Sequence, residues 1–204
     1  MRKKLIALML VGSQFALWGC YLEGPDYTEE LDLVYSNYNN KYDFASQGTY
    51  SIPDQIVKVT GDPTGPPEYI SPIYATPILN EIKAQMTALG WQEVDVNANP
   101  DVQLMPAAWT TTTIVGGYYG GYYCWWYPYY CGGGWYYPYT PVSSYSTGTL
   151  LLTMVDPNLQ AIDGSLPVVW TSAMNGLLSS GTDINRVKDG IKQAFKQSPY
   201  LKTN

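Results

Sequence analysis

The chain contains no histidine. That absence removes the commonest general acid–base group, and with it Ser–His–Asp and Cys–His catalysis. Cysteine is scarce as well, with three residues at Cys20, Cys124 and Cys131. Lacking histidine and a second cysteine pair, they do not make up a structural metal set. No Gly-rich loop opens a helix as a phosphate site requires, and no repeat of 20–50 residues is present. Charge is thin and one-sided, 11 basic against 17 acidic residues. A nucleic-acid surface needs the opposite balance and is excluded as a partner. Between Asp101 and Asp156 charge is missing altogether, across 54 consecutive positions.

What remains for acid–base chemistry is carboxylate. Asp156 and Asp163 flank one turn, and Glu93 and Asp95 share the face of one expected strand. A carboxylate pair is the minimum for glycoside hydrolysis. Turns, however, collect Asp for local hydrogen bonding, and that reading is preferred for both pairs. The expectation is a protein that is not an enzyme and takes no cofactor or metal.

The N-terminus states an address. Arg2, Lys3 and Lys4 precede an apolar segment, Leu5 to Leu17, whose thirteen residues fall short of the ~20 that span a bilayer. A basic start, a short apolar core and a small residue mark residues 1–19 as a secretory signal peptide. "LWGC", Leu17 to Cys20, resembles the bacterial lipoprotein signal, which makes Cys20 the lipidated first residue of the mature chain. Each buried methylene of an acyl chain contributes ~0.8 kcal/mol, so several chains form a firm membrane anchor. With Cys20 lipidated, Cys124 and Cys131 are left as a disulfide pair, in a compartment where disulfides persist. Cleavage removes three basic residues, leaving 8 against 17 acidic ones, a net charge of −9. Residues 20–31 then read as an acidic, solvated tether. The expected location is the bacterial cell envelope, at the outer membrane and facing the periplasm or the surface.

Residues 32–202 are enough for one domain. "KYDFASQGTYSIPDQ" suggests a first strand before Pro53, and "GDPTGPPEY", Gly61 to Tyr69, a loop. The pattern predicts a helix capped by Thr76, with Pro77 in its first position and Ile78, Ile82, Met86 and Leu89 on one face. Gly90 suits its left-handed stop. "WQEVDV" and "DVQLMPAAWTTTT" read as strands, Pro106 placing the second at an edge or a bulge. "GTLLLTMV" is apolar enough for a central strand, and "LPVVWTSA" is set to pair with it as a hairpin. A final helix from about Thr182 buries Ile184, Val187, Ile191 and Phe195. The fold class expected is α+β: a mixed or mostly antiparallel sheet of four to six strands with two amphipathic helices on one face. A Gly/Tyr-rich hairpin insertion, residues 116–141, interrupts it.

"YDFASQGTYSI", a helix ending in "LGW", "NPDVQL", a Gly- and Tyr-rich insertion, "GTLLLTMVD", "LPVVWTS" and a terminal amphipathic helix follow in that order. Together, over Leu31 to Leu201, they resemble a group of bacterial envelope lipoproteins carrying domain of unknown function 4136. The resemblance implies no activity.

The insertion is the most unusual part of the chain. Gly116 to Pro141 holds ten Tyr, three Trp and seven Gly in 26 residues, without a charge. Two readings stand. Its aromatic rings cover the sheet and each other, or they form an interaction surface, since Tyr and Trp supply contact area at low entropic cost. The side chains proposed for contact are Tyr122, Tyr123, Trp125, Trp126, Tyr127, Trp135 and Tyr136. An envelope protein, a membrane interface or a glycan suits that chemistry. The function expected is therefore non-catalytic: a lipid-anchored envelope protein acting through this loop. The alternative is a glycan- or peptidoglycan-binding lipoprotein. Oligomeric state is not encoded in any of these features.

Overall fold

The structure, a computed structural model, describes residues 33–59, 67–109, 113–114, 144–145, 148–159, 167–176 and 183–204. All of them belong to one compact unit, Asp32–Asn204. Its strands are β1 (Val34–Tyr38), β2 (Thr49–Ser51), β3 (Val57–Val59), β4 (Glu68–Tyr69) and β5 (Gln92–Glu93), then β6 (Val102–Trp109), β7 (Thr113–Ile114), β8 (Ser144–Tyr145), β9 (Thr149–Val155) and β10 (Val168–Met174). The helices are α1 (Pro72–Ala88) and α2 (Ile184–Lys196).

The centre of the sheet is β9. It pairs antiparallel with β10 on one side and with β6 on the other, and β1 closes the β10 edge. Beyond β6 the sheet turns mixed, because β2 and β3 both run parallel to β6, at different ends of it. β5 then lies parallel to β2, and β4 antiparallel to β3. The domain is α+β, as the element order suggests, but the main sheet has eight strands, more than the four to six expected. The strands not expected are β1, of mixed polar and apolar residues, and β3 and β4, which are three and two residues long. Alternation has no length in which to show itself over so few residues.

β9 and β10 are buried at every position, which is why both read as near-continuous apolar runs. They form the expected hairpin. β6 is buried throughout and central, not the edge or bulged strand that Pro106 suggests. β2 pairs with residues 102–103 of β6 and β3 with 107–109. Pro106 falls in the interval between them, where a residue without an N–H removes no ladder bond on that side.

α1 begins at Pro72, after Ser71, and carries Pro77 inside. It therefore starts earlier than the Thr76–Pro77 pair suggests. The amide that Pro77 lacks would meet Ile73 O, in a first turn where Ile73 is 74% exposed and water is at hand. The helix ends as expected: Gly90 has φ +96°, its N–H donates to Thr87 O (3.0 Å), and Trp91 N–H donates to Met86 O (3.0 Å). That pair of bonds is the Schellman closure. α2 is capped by Asp183, whose carboxylate accepts from Asn185 N. It buries Val187, Ile191, Ala194 and Phe195, with Ile184 partly buried against the same core.

Both helices share one core with one face of the sheet. Ile78, Ile82 and Met86 of α1 and Ile191 and Phe195 of α2 meet Leu104, Leu150, Leu152, Met154, Trp170 and Met174. Each of these large side chains contributes ~1.5–3 kcal/mol by leaving water. The period of two along each strand fixes what lies on the other face.

Candidate functional site

Two short strands flank the aromatic run. β7 and β8 pair antiparallel, Thr113 with Tyr145 and Ile114 with Ser144. They follow directly from β6 and precede β9, whose ends Trp109 and Thr149 are also partners. The chain thus leaves the sheet and returns to it through adjacent antiparallel strands. Tyr122, Tyr123, Trp125, Trp126, Tyr127, Trp135 and Tyr136 lie outside the described residues, as do Cys20, Cys124 and Cys131.

The carboxylates can be placed more fully. Glu93 and Asp95 border an open groove of about 620 Å³, with Ile52, Pro53, Asp54, Val94 and Val96. Both are already engaged. Lys83 Nζ lies 2.6 Å from Glu93 Oε1 in an exposed pair, the kind worth 0–1 kcal/mol. Asp95 Oδ1 accepts from Asn97 N (2.8 Å) and from Asn97 Nδ2 (2.9 Å), capping a short 3-10 turn. Asp156 is buried, while Asp163 lies outside the described residues. Asp156 Oδ1 accepts from Asn158 N (2.7 Å), which shapes the turn after β9. Its Oδ2 accepts from Tyr42 Oη (3.0 Å). Burial first, then the Asp156 charge and hydrogen bond, raise the Tyr42 hydroxyl well above its ordinary value. It stays protonated and donates; this is a turn held by a tyrosine, not an acid–base pair.

Sequence reasoning missed the aromatic group around Tyr42. Tyr38 and Tyr200 stack with ring centroids 3.6 Å apart, and Tyr42 meets Phe44 edge-on at 4.7 Å. Phe44 joins the two pairs, 5.9 Å from Tyr200. Ser198 Oγ, fully buried, accepts from both Trp170 Nε1 (3.0 Å) and Tyr200 Oη (3.1 Å). These contacts join β1 and the segment after it to the C-terminus. Periodicity carries no signal for pairs separated by most of the chain.

Among the described residues, no three His, Cys, Asp or Glu side chains gather as metal ligands. Among them, too, no helix is long and apolar enough to cross a membrane.

A mixed sheet with both helices on one face, interrupted by an uncharged aromatic segment between two central strands, defines the class of domain. The chain belongs to the family described as "Domain of unknown function (DUF4136)", whose model matches residues 34–200. Among solved structures, a DUF4136 family protein from Bacteroides thetaiotaomicron is 31% identical, with a TM-score of 0.62, over 83% of this chain and 97% of that one. A PelC dodecamer from Paraburkholderia phytofirmans is 13% identical, over 84% of this chain and 99% of that one, with a TM-score of 0.40. A PDZ domain protein from Parabacteroides distasonis is 15% identical, over 83% of this chain and 36% of that one, with a TM-score of 0.42. Neither of the last two is near enough in shape to bear on function. A search of curated proteins found no match.

Proposed function

We propose that this protein is a non-catalytic, lipid-anchored component of the cell envelope that works by contact. Cys20 holds the membrane, and aromatic side chains of Gly116 to Pro141 meet another envelope protein or the membrane interface. One observation supports this above the rest: β7 and β8, a two-stranded sheet of their own, bring the chain on either side of the run together. A segment attached in this way presents its middle as a unit. Its thirteen aromatic residues in 26 exceed what a small hairpin buries against itself, and an exposed apolar patch of that size marks an interaction site.

The test replaces Trp125, Trp126 and Trp135 with Ser in the full chain and crosslinks intact cells. Loss of crosslinked neighbours, with circular dichroism unchanged, is the expected result. An unchanged set of neighbours defeats the contact reading. Retention on purified cell wall that free sugar competes away would replace it with a glycan-binding one.

A further inference from the structure

Among the described strands, β1 pairs with β10 alone and so ends the main sheet on that side. Asn39 N donates to Val169 O and Asn175 N to Leu33 O, at the two ends of the pairing. Bonded residues alternate along an antiparallel ladder. Leu33, Tyr35, Asn37 and Asn39 therefore turn their backbone groups towards β10, while Val34, Ser36 and Tyr38 turn theirs outward. An outward row of N–H and C=O groups is a template for another strand. The usual protections are missing, because Val34–Tyr38 holds neither a charge nor a proline. A second copy of this chain carries the same open row.

Side chains of the chain itself take up part of this row. Gln197, the residue that closes α2, donates from Nε2 to Val34 O (3.2 Å) and to Ser36 Oγ (2.8 Å). Its own N donates to Gln193 O (3.0 Å), which holds it to the helix end. Ser36 Oγ in turn donates to Ser172 Oγ (3.0 Å) on β10, so the amide of Gln197 rests on a fixed acceptor. At the far end of β1, Asn37 Oδ1 accepts from Tyr38 N (2.9 Å).

We infer that Gln197 and Asn37 keep β1 from pairing with β1 of a second copy. The groups they engage are the ones such a pair needs. In an antiparallel pair centred on Ser36, Val34 of one copy faces Tyr38 of the other, on either side of the centre. Each flanking pair calls for a bond from Tyr38 N to Val34 O, and that donor and that acceptor are both spent within the chain. What is left is the reverse bond, from Val34 N to Tyr38 O, and the central Ser36 pair. Gln197 Nε2 also stands directly outside Val34 O, in the space an added strand would take ~4.8 Å away. This goes beyond the contact function, because it removes the β1 edge from the surfaces open to a partner.

The experiment purifies the full chain in detergent and follows its mass against concentration by light scattering. It compares the parent with the double variant Gln197→Ala, Asn37→Ala. The variant is expected to dimerise at a concentration about tenfold or more below that of the parent, since both flanking pairs regain a bond. Adding Ser36→Pro, which removes the central N–H from an edge strand where proline is tolerated, should undo that gain. Equal association of parent and double variant overturns the inference, and so does association that Ser36→Pro leaves in place. Should circular dichroism show the double variant unfolded, Gln197→Ala alone is held to the same two readings, with about a threefold change expected.

Discussion

Thr49 and Asp101 clasp each other at the point where β2 meets β6. Asp101 Oδ2 accepts from Gly48 N (2.9 Å), Thr49 N (2.8 Å) and Thr49 Oγ1 (2.8 Å), while Asp101 N donates back to Thr49 Oγ1 (3.0 Å). The parallel ladder starts one residue further on, at Tyr50 and Val102. A parallel pair of only two residues is a weak ladder, and the clasp sets its register.

The clasp makes stability depend on acid. Burial pushes the Asp101 carboxyl up, but the bonds from Gly48 N, Thr49 Oγ1 and Thr49 N outweigh it and hold it below its ordinary value. A carboxylate depressed on folding contributes stability that is whole above its unfolded pKa, ~3.9, and is lost as pH falls through the folded value. Asp101→Asn is expected to destabilise the protein by about 1 kcal/mol at pH 7. The difference from the parent should shrink below about pH 4, where the parent also loses the charge. Urea midpoints at pH 7 and pH 3 check this, and a difference of equal size at both would refute the charged role.

Gly90 is the second fixed point. A Cβ added there would collide with Thr203 Oγ1, and φ is +96°. Thr203 sits close because its N and Oγ1 both donate to Leu89 O, at 3.0 and 3.2 Å. Gly90→Ala should cost about 1–3 kcal/mol, part from the left-handed backbone and part from the collision. Adding Thr203→Ala should return only the second part. Chemical denaturation of both variants measures this, and a single variant as stable as the parent would show that the contact gives way freely.

The legible parts of the fold are those whose signal is long. α2 shows because Val187, Ile191 and Phe195 recur on one face, and β9 and β10 show because both their faces are buried. The start of α1 was ambiguous by its chemistry: Ser71–Pro72 and Thr76–Pro77 are equally good opening signals. Burial of Ala75 on the core side decides for the first, and burial is a tertiary fact. β1, "VYSNY", mixes polar and apolar residues because its half-buried edge is closed from outside. Gln197 Nε2 donates to Val34 O (3.2 Å) and Ser36 Oγ (2.8 Å). Of the candidate site, composition revealed the run and its lack of charge. The tie between Tyr42 and Asp156 spans 114 positions and leaves no local trace.

The anchor makes a prediction of its own. Cys20→Ser should move the protein from the membrane fraction to soluble or unprocessed material, because "LWGC" loses its acceptor thiol. Mass spectrometry of the parent should find a mature chain beginning at acylated Cys20. An unmodified Cys20, or a start elsewhere, rules the anchor out.

Tyr50 and Trp91 are both buried aromatics, at 0% and 2% exposure, and their polar tips are treated in opposite ways. Trp91 Nε1 donates to Leu201 O at 2.7 Å, tying the end of α1 to the C-terminal turn. Among the described residues the buried Tyr50 hydroxyl has no hydrogen-bond partner. Burial, and then the charge of Glu93, raise its pKa, so it remains a neutral O–H that no described group accepts from. An unpartnered buried hydroxyl costs about 1–3 kcal/mol of desolvation, whereas deleting one member of a made bond leaves the other stranded. Tyr50→Phe should therefore be neutral or stabilise the protein by up to about 1 kcal/mol. Trp91→Phe should destabilise it by about 2–3 kcal/mol, through the stranded Leu201 carbonyl and the volume lost. Urea denaturation of the two variants side by side compares them under one condition. If Tyr50→Phe proves the more damaging, the Tyr50 hydroxyl has a partner in solution, a bound water being the simplest.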